Sequence, residues 1–295
     1  MRVMVTGGSG NIGRRVVARL AAEDDVVVVD RVPFPGEERC RALVCDLTSG
    51  EDLDRVEGPY DAIVHLAAIP NPCHDPWERV LSVNLVSTFN VLRYAAERGV
   101  PRVVFGSSES ASGWGIHRTW RRPDYLPIDE GHRSLPGEVY SYTKALGDEL
   151  CRGFSNEYGL RTICLRYTFV TFASNYADFL QSLRDSPVRE GLGTSYAWID
   201  VEDVASAIDR SLRFEMAPGR SETFYLTALD HYGTLPTLEM ADRNWGPGIP
   251  ADHGYYAERP YASLFDIRKA KRLLGWQPAW TIDRLMAERS EGARA

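Results

Sequence analysis

Tyr140 and Lys144 stand four residues apart in Tyr140-Ser141-Tyr142-Thr143-Lys144, so on a helix they point the same way. A phenol with an ordinary pKa of about 10 is a poor base at neutral pH. An ammonium held beside it stabilises the phenolate, and the pair can then take a proton from a hydroxyl or return one. Tyr142 is two residues from Lys144 and falls on another face. Ser107 and Ser108 follow the apolar run 103–105. If that run is a strand, a hydroxyl at its end would orient a substrate oxygen beside Tyr140.

A second constellation lies at the start of the chain. Thr6-Gly7-Gly8-Ser9-Gly10-Asn11-Ile12-Gly13 follows an apolar run and precedes a helical pattern. Gly7 permits a tight turn, Gly10 lets backbone approach a pyrophosphate, and Gly13 lets the helix pack closely on the sheet. The helix N-terminus at Asn11 and Ile12 offers unpaired N–H groups to phosphate. Asp30 ends the next apolar run, 23 residues after Gly7. A carboxylate there accepts from both adenosine ribose hydroxyls and repels a 2′-phosphate. That favours NAD over NADP, although Arg31 beside it could tolerate a phosphate.

These groups need a scaffold. Strands are expected at 3–6, 26–30, 61–66, 102–105 and 161–166, with helices at 11–22, 80–98 and 140–158. Near-continuous apolar strands separated by helices imply an α/β, doubly wound parallel-sheet Rossmann fold covered on both faces. After Tyr167 the rhythm loosens. Helices are expected at 175–184, 201–213 and 265–274 and a strand at 223–226, with Gly275 as a C-cap. We therefore expect a dinucleotide-binding domain over 1–170. A small C-terminal substrate lobe over 171–295 would cover the sheet's C-terminal edge, with the chain crossing between the two.

The formal net charge of −7 and the absence of a basic run argue against nucleic acid. No apolar run approaches the roughly 20 residues of a membrane span, and the chain opens directly in a strand with no signal peptide. Five cysteines without a C-x-x-C pair fit a reducing cytosol, so a cytoplasmic protein is expected. Cys73-His74-Asp75 suggests metal, but adjacent residues rarely converge on one ion. His117, His132, His231 and His253 fall in polar stretches and read as solvated. Glu149 reads as a surface salt-bridge acid, and Cys151 and Cys164 as small buried hydrophobes.

The ordered set of motifs resembles the extended short-chain dehydrogenase/reductase family, also called NAD-dependent epimerases/dehydratases. The resemblance runs from Thr6–Gly13 through Asp46-Leu47, His65-Leu66-Ala67-Ala68, Asn84, Ser107-Ser108, Tyr140/Lys144 and Leu165-Arg166. It continues into Ile199-Asp200-Val201-Glu202-Asp203-Val204, Phe265-Asp266-Ile267-Arg268-Lys269-Ala270 and Leu274-Gly275-Trp276-Gln277-Pro278. It implies that Tyr140 is the catalytic acid/base, Lys144 its activator and ribose ligand, and Ser108 the third member. Ser108 is preferred over Ser107 by its spacing to Gly113. It also implies that Asp46, Leu47, Leu66, Ala67, Ala68, Asn84, Ser107 and Tyr167 border the cofactor. Glu109, Trp114, Thr168 and Trp198 would face substrate. A dimer is implied, with helices 80–98 and 140–158 pairing across copies through Leu81, Leu85, Leu146 and Leu150.

The departures bear on substrate. Phe169 stands where sugar-nucleotide members usually carry Asn. Ser195-Tyr196-Ala197-Trp198 lacks their pyrophosphate arginine, and Arg259-Pro260 lies close to Asp266 for their second one. Few cations to hold two phosphates favour a free sugar, sugar acid or polyol. Ser108-Glu109-Ser110 lacks a dehydratase acid pair, which disfavours dehydration. The expected function is hydride transfer between nicotinamide and a secondary alcohol or ketone. The alternatives are a nucleotide-sugar 4-epimerase, which uses the same residues, and a non-catalytic dinucleotide sensor.

Overall fold

Four consecutive valines at 26–29 can be accommodated only where a strand is buried on both faces, and they form the centre of such a strand. The computed structural model describes residues 1–36, 40–70, 75–114, 121–185 and 196–292. The central sheet contains β1 (Arg2–Thr6), β2 (Asp25–Asp30), β3 (Arg41–Val44), β4 (Ala62–His65), β5 (Arg102–Gly106) and β6 (Arg161–Tyr167). Strands β7 (Phe169–Thr171) and β8 (Trp198–Asp200) pair with each other, and β9 (Ser221–Leu226) returns to the main sheet. The main order is β3-β2-β1-β4-β5-β6-β9, all parallel. The order reverses between β1 and β4, the place where doubly wound sheets bind ligands.

Alternation along β1 assigns the two layers. Val3 and Val5 join a core built with α1 (Asn11–Leu20) and α6 (Val201–Arg213). Met4 joins the opposite core, lined by α3 (Trp77–Glu97) and α4 (Val139–Tyr158) together with Leu53 of the short α2 (Gly50–Asp54). Two further cores draw mainly on the second half of the chain. One gathers Trp114, Ile128, Tyr225 and Phe265, and the other Phe179, Trp198 and Trp280. They involve α5 (Tyr176–Asp185), α7 (Thr237–Trp245), α8 (His253–Glu258) and α10 (Ile282–Gly292). No helix among the described residues is long and apolar enough to cross a membrane.

Local chemistry moves several boundaries. The helix expected from 265 begins later, as α9 (Arg268–Leu274). Phe265 is held in a bridge to Ile128, and Asp266 Oδ1 accepts the Arg268 N–H at 2.7 Å. The strand expected at 223–226 starts at Ser221, because it pairs with β6 from Thr162 onward. Helix α4 is capped by Glu138, whose carboxylate accepts the N–H groups of Tyr140 and Ser141 at 2.7 and 2.5 Å. That cap fixes Tyr140 in the helix's first turn.

Candidate active site

The glycine turn brings β1 against the loop after β4. Gly7 has φ +73°, and a Cβ there would lie 2.5 Å from the Ala67 nitrogen. At Gly13 a Cβ would run into the Gly7 carbonyl and approach the Gly8 Cα to 2.6 Å. Gly10 is the N-cap of α1 and offers no side-chain cap, which leaves the first-turn amides of Asn11, Ile12 and Gly13 for an anion. Beside this turn is a cavity of about 330 Å³. Its walls include Gly7, Gly10, Asp30, Arg31, Asp46, Leu47, Leu66, Ala67 and Ala68.

Asp30 is aimed by backbone. Its Oδ2 accepts the Ser9 N–H at 3.0 Å and its Oδ1 the Val32 N–H at 3.3 Å. Lone pairs remain for hydroxyl donors. Asp46 Oδ1 accepts both the N–H and the hydroxyl of Thr48, a turn that sets the cavity's far wall. Asn84 acts one step back. Its amide pairs with both backbone groups of Ile69, at 2.7 and 3.1 Å, and donates to Thr143 at 3.1 Å. It thereby ties the cavity-lining loop to α4. Sequence reasoning missed Val32, Cys45, Thr48, Val83 and Ser87 on the walls. Only the alternation of α3 hinted at the last two.

At the sheet's C-terminal edge Lys144 Nζ donates to the Gly106 carbonyl at 2.7 Å and lies 5.5 Å from the Tyr140 ring centre. Ser108 lies beside Tyr140, close enough that its hydroxyl lowers the phenol's pKa. Because Ser108 Oγ already accepts the Ser110 N–H at 3.1 Å, its own proton is free to donate. Ser107 is fully buried with an unpartnered hydroxyl, so Ser108 is the serine beside the phenol. Burial, with Tyr167 nearby, pushes the Tyr140 phenol up, and the Ser108 hydroxyl partly opposes this. Burial pulls Lys144 down to about 8. The Tyr167 hydroxyl sits over Gly106, where a Cβ would lie 2.9 Å from it.

Behind Lys144, the buried His65 bridges Thr6 at 2.7 Å and Thr88 at 3.1 Å. Thr88 donates its one proton to the Asn84 carbonyl, so it accepts from His65 Nε2–H and Nδ1 accepts from Thr6. Burial and Lys144 hold the imidazole down to about 3, so it stays neutral.

Some expected substrate contacts are placed elsewhere. Trp198 is fully buried, with its ring tilted against Phe179 at 5.8 Å, and its indole N–H donates to Asp230 at 3.2 Å. It fills a core with Phe179, Trp280 and Leu285 and does not present a face to ligand. Thr168 is buried, with its hydroxyl directed to Thr227 at 3.4 Å. Trp114 packs edge-on to His132 and Trp245, with its indole N–H buried and unpartnered. Glu109 is buried in the turn that Ser108 opens. His132 and His231 are corrections too, because both are buried. His132 accepts the Asp124 N–H, and His231 accepts the Gly233 N–H. His253 is exposed, Glu149 pairs with Arg152 at the surface, and Cys151 and Cys164 are fully buried. Cys73, His74, His117 and Ser195 lie outside the described residues. Asp75 pairs with Arg79.

The family model described as NAD dependent epimerase/dehydratase matches residues 3–225. The chain belongs to that family. UDP-glucose 4-epimerase of Lacticaseibacillus casei is 26% identical over 324 residues, covering 97% of this chain and 95% of its own. L-arabinose 1-dehydrogenase (NAD(P)(+)) of Haloferax volcanii is 29% identical over 175 residues, covering 56% and 65%. A short-chain dehydrogenase/reductase superfamily protein from Agrobacterium tumefaciens, solved with bound NAD, superposes with a TM-score of 0.74. It is 23% identical and covers 100% of this chain and 97% of that one.

Proposed function

We propose that the protein is an NAD-dependent oxidoreductase acting on a secondary alcohol or ketone of a small, sugar-like or polyol substrate. The observation that carries this is the placement of the Lys144 ammonium 5.5 Å from the Tyr140 ring centre, held there by the Gly106 carbonyl with Ser108 beside the phenol, at the sheet edge that borders the glycine turn. In the oxidising direction the Tyr140 oxygen takes the hydroxyl proton and Ser108 holds the same substrate oxygen; a bound nicotinamide would supply the acceptor for the carbon's hydride. Lys144 favours the charged phenolate and binds the nicotinamide ribose. Asp30 receives the adenosine ribose, and the α1 N-terminus the pyrophosphate. Residues 1–170 supply this cofactor site, and 171–295 supply the substrate lobe.

The small substrate is supported by the placement of cations. Tyr196 occupies the segment that lacks the pyrophosphate arginine, and its ring lies against Tyr232. Arg166, on the strand that ends in Tyr167, is held by Asp148. An epimerase reading is kept because a UDP-glucose 4-epimerase matches along nearly its whole length. A panel of NAD with free aldoses, uronic acids, polyols and UDP-sugars decides between them. Steady growth of reduced-nicotinamide absorbance with a free sugar is expected. A converted UDP-sugar without net reduction would replace this reading by the epimerase.

We also infer a homodimer through α3 and α4. Leu81 (40% exposed), Phe89 (46%) and Leu146 (47%) leave an apolar face too large for water to solvate cheaply. Leu85, Leu150 and Phe154 deepen it into a groove of about 870 Å³. Leu146→Glu should sediment as a monomer while the wild type sediments as a dimer. A monomeric wild type would refute the pairing.

A further inference from the structure

Helix α4 carries Asp148 one turn beyond Lys144, and β6 carries Arg166 beside it. Arg166 Nε donates to Asp148 Oδ2 at 2.9 Å, with the two side chains 12% and 7% exposed. Arg166 Nη1 donates to Ser112 Oγ at 3.0 Å, and Ser112 is hydrogen bonded in turn to the Tyr225 hydroxyl on β9. Ser112 closes the turn that Ser108 opens. One guanidinium therefore joins the helix bearing Tyr140 and Lys144, the turn bearing Ser108, and the sheet. Arginine's planar fork can bond both partners at once, which a lysine cannot. A buried ion pair adds little net stability over apolar residues of equal volume, so what this one supplies is geometry and charge.

Asp148, one turn along α4 from Lys144, is the carboxylate that acts on the ammonium, and Arg166 holds that carboxylate in place. Glu138 and Glu109 act on the neighbouring Tyr140. His65 approaches from β4 and is neutral. Phe105 approaches from β5, with its ring centre 5.0 Å from Nζ. Cys151 shares α4, and Cys164 on β6 is a buried thiol pushed up by its contact with Cys151 and by burial. Glu130 faces the far side of Tyr225, whose backbone N–H it accepts at 2.9 Å.

We propose that Arg166 and Asp148 form a positioning pair: the guanidinium locks the Ser108 turn to α4, and the carboxylate supplies the counter-charge to the Lys144 ammonium beneath Tyr140. This rests on the Tyr140–Lys144 chemistry proposed above. The direction of the charge effect follows, since a carboxylate raises a neighbouring lysine and so works against the burial that lowers Lys144.

The chain has only three lysines, Lys144, Lys269 and Lys271, so ¹³Cε-lysine labelling gives three resonances, with Lys144→Arg assigning one. The wild-type Lys144 signal should titrate at about 8. Asp148→Asn should move it down by about one unit or more, and Asp148→Glu should restore it. Ser112→Ala should leave that titration in place and lower kcat about tenfold at unchanged KM. An unmoved Lys144 titration in Asp148→Asn overturns the charge role, and a wild-type kcat in Ser112→Ala overturns the locking role. If Asp148→Asn does not fold, Asp148→Ser decides: a Lys144 signal that titrates as in the wild type in that variant overturns the charge role. A wild type that turns over no carbinol refutes the functional reading, while the titration still decides the charge role, so the two failures are told apart.

Discussion

Tyr140→Phe should lower turnover about 10²–10⁴-fold, the range of one positioned acid/base group, and leave dinucleotide affinity at the wild-type level. The ring stays, so the packing of Tyr140 against Val80 and Ile69 is retained. What is lost is the oxygen that lies beside Ser108 and above Lys144. Lys144→Met should be at least as damaging and should weaken the cofactor as well, because Lys144 also serves the ribose. A titration calorimeter separates the two variants: normal NAD binding in Tyr140→Phe, weakened binding in Lys144→Met. Turnover in Tyr140→Phe within about tenfold of wild type would remove Tyr140 from the proton-transfer role. Tyr167 would then become the phenol to test, since it lies beside the same turn.

The pH dependence has a definite sign. Lys144 falls to about 8 in the folded protein, below the ordinary lysine value. Between those two values the unfolded chain binds the proton more tightly, so this group's contribution to stability rises with pH across that window. Activity runs the other way over the same window, because a neutral Lys144 no longer favours the Tyr140 phenolate.

What the sequence disclosed and what it hid divide along the range of the interactions. Tyr140 and Lys144 were legible because four residues on a helix fix their relation locally. The glycine turn was legible because strand, turn and helix are contiguous. Trp198 was misplaced because an aromatic in a strand looks the same whether it faces ligand or core. Only the arrival of Phe179 and Asp230 from distant segments decides the matter. His132 and His231 looked solvated because their polar neighbours in the chain are loops, yet both are buried, and each accepts a backbone amide from its own loop. The Arg166–Asp148 pair joins a strand to the helix preceding it, and no periodicity in either element announces it. Strand β3 was missed because four residues with Arg41 and Ala42 exposed carry almost no alternation.

Gly13→Ala should be the most damaging small substitution in the glycine turn. The added methyl would meet the Gly7 carbonyl and the Gly8 Cα, both backbone atoms that cannot rotate aside. Relief requires α1 to retreat from the turn, at an overpacking cost of about 1–3 kcal/mol. The retreat also carries the first-turn amides away from the pyrophosphate. At about 1.4 kcal/mol per tenfold, dinucleotide affinity should fall roughly 10–100-fold. Gly10→Ala provides the contrast. Its Cβ would meet only the Gly7 carbonyl, at 3.3 Å, and its φ of −75° suits any residue. Its melting temperature should therefore stay near wild type, while its affinity falls because the methyl stands where the phosphates approach. Thermal melts with and without NAD distinguish the two: Gly13→Ala loses stability in both, Gly10→Ala only the increment that NAD confers. If Gly13→Ala melts and binds like wild type, α1 does not dock through this contact, and the phosphate site cannot depend on it.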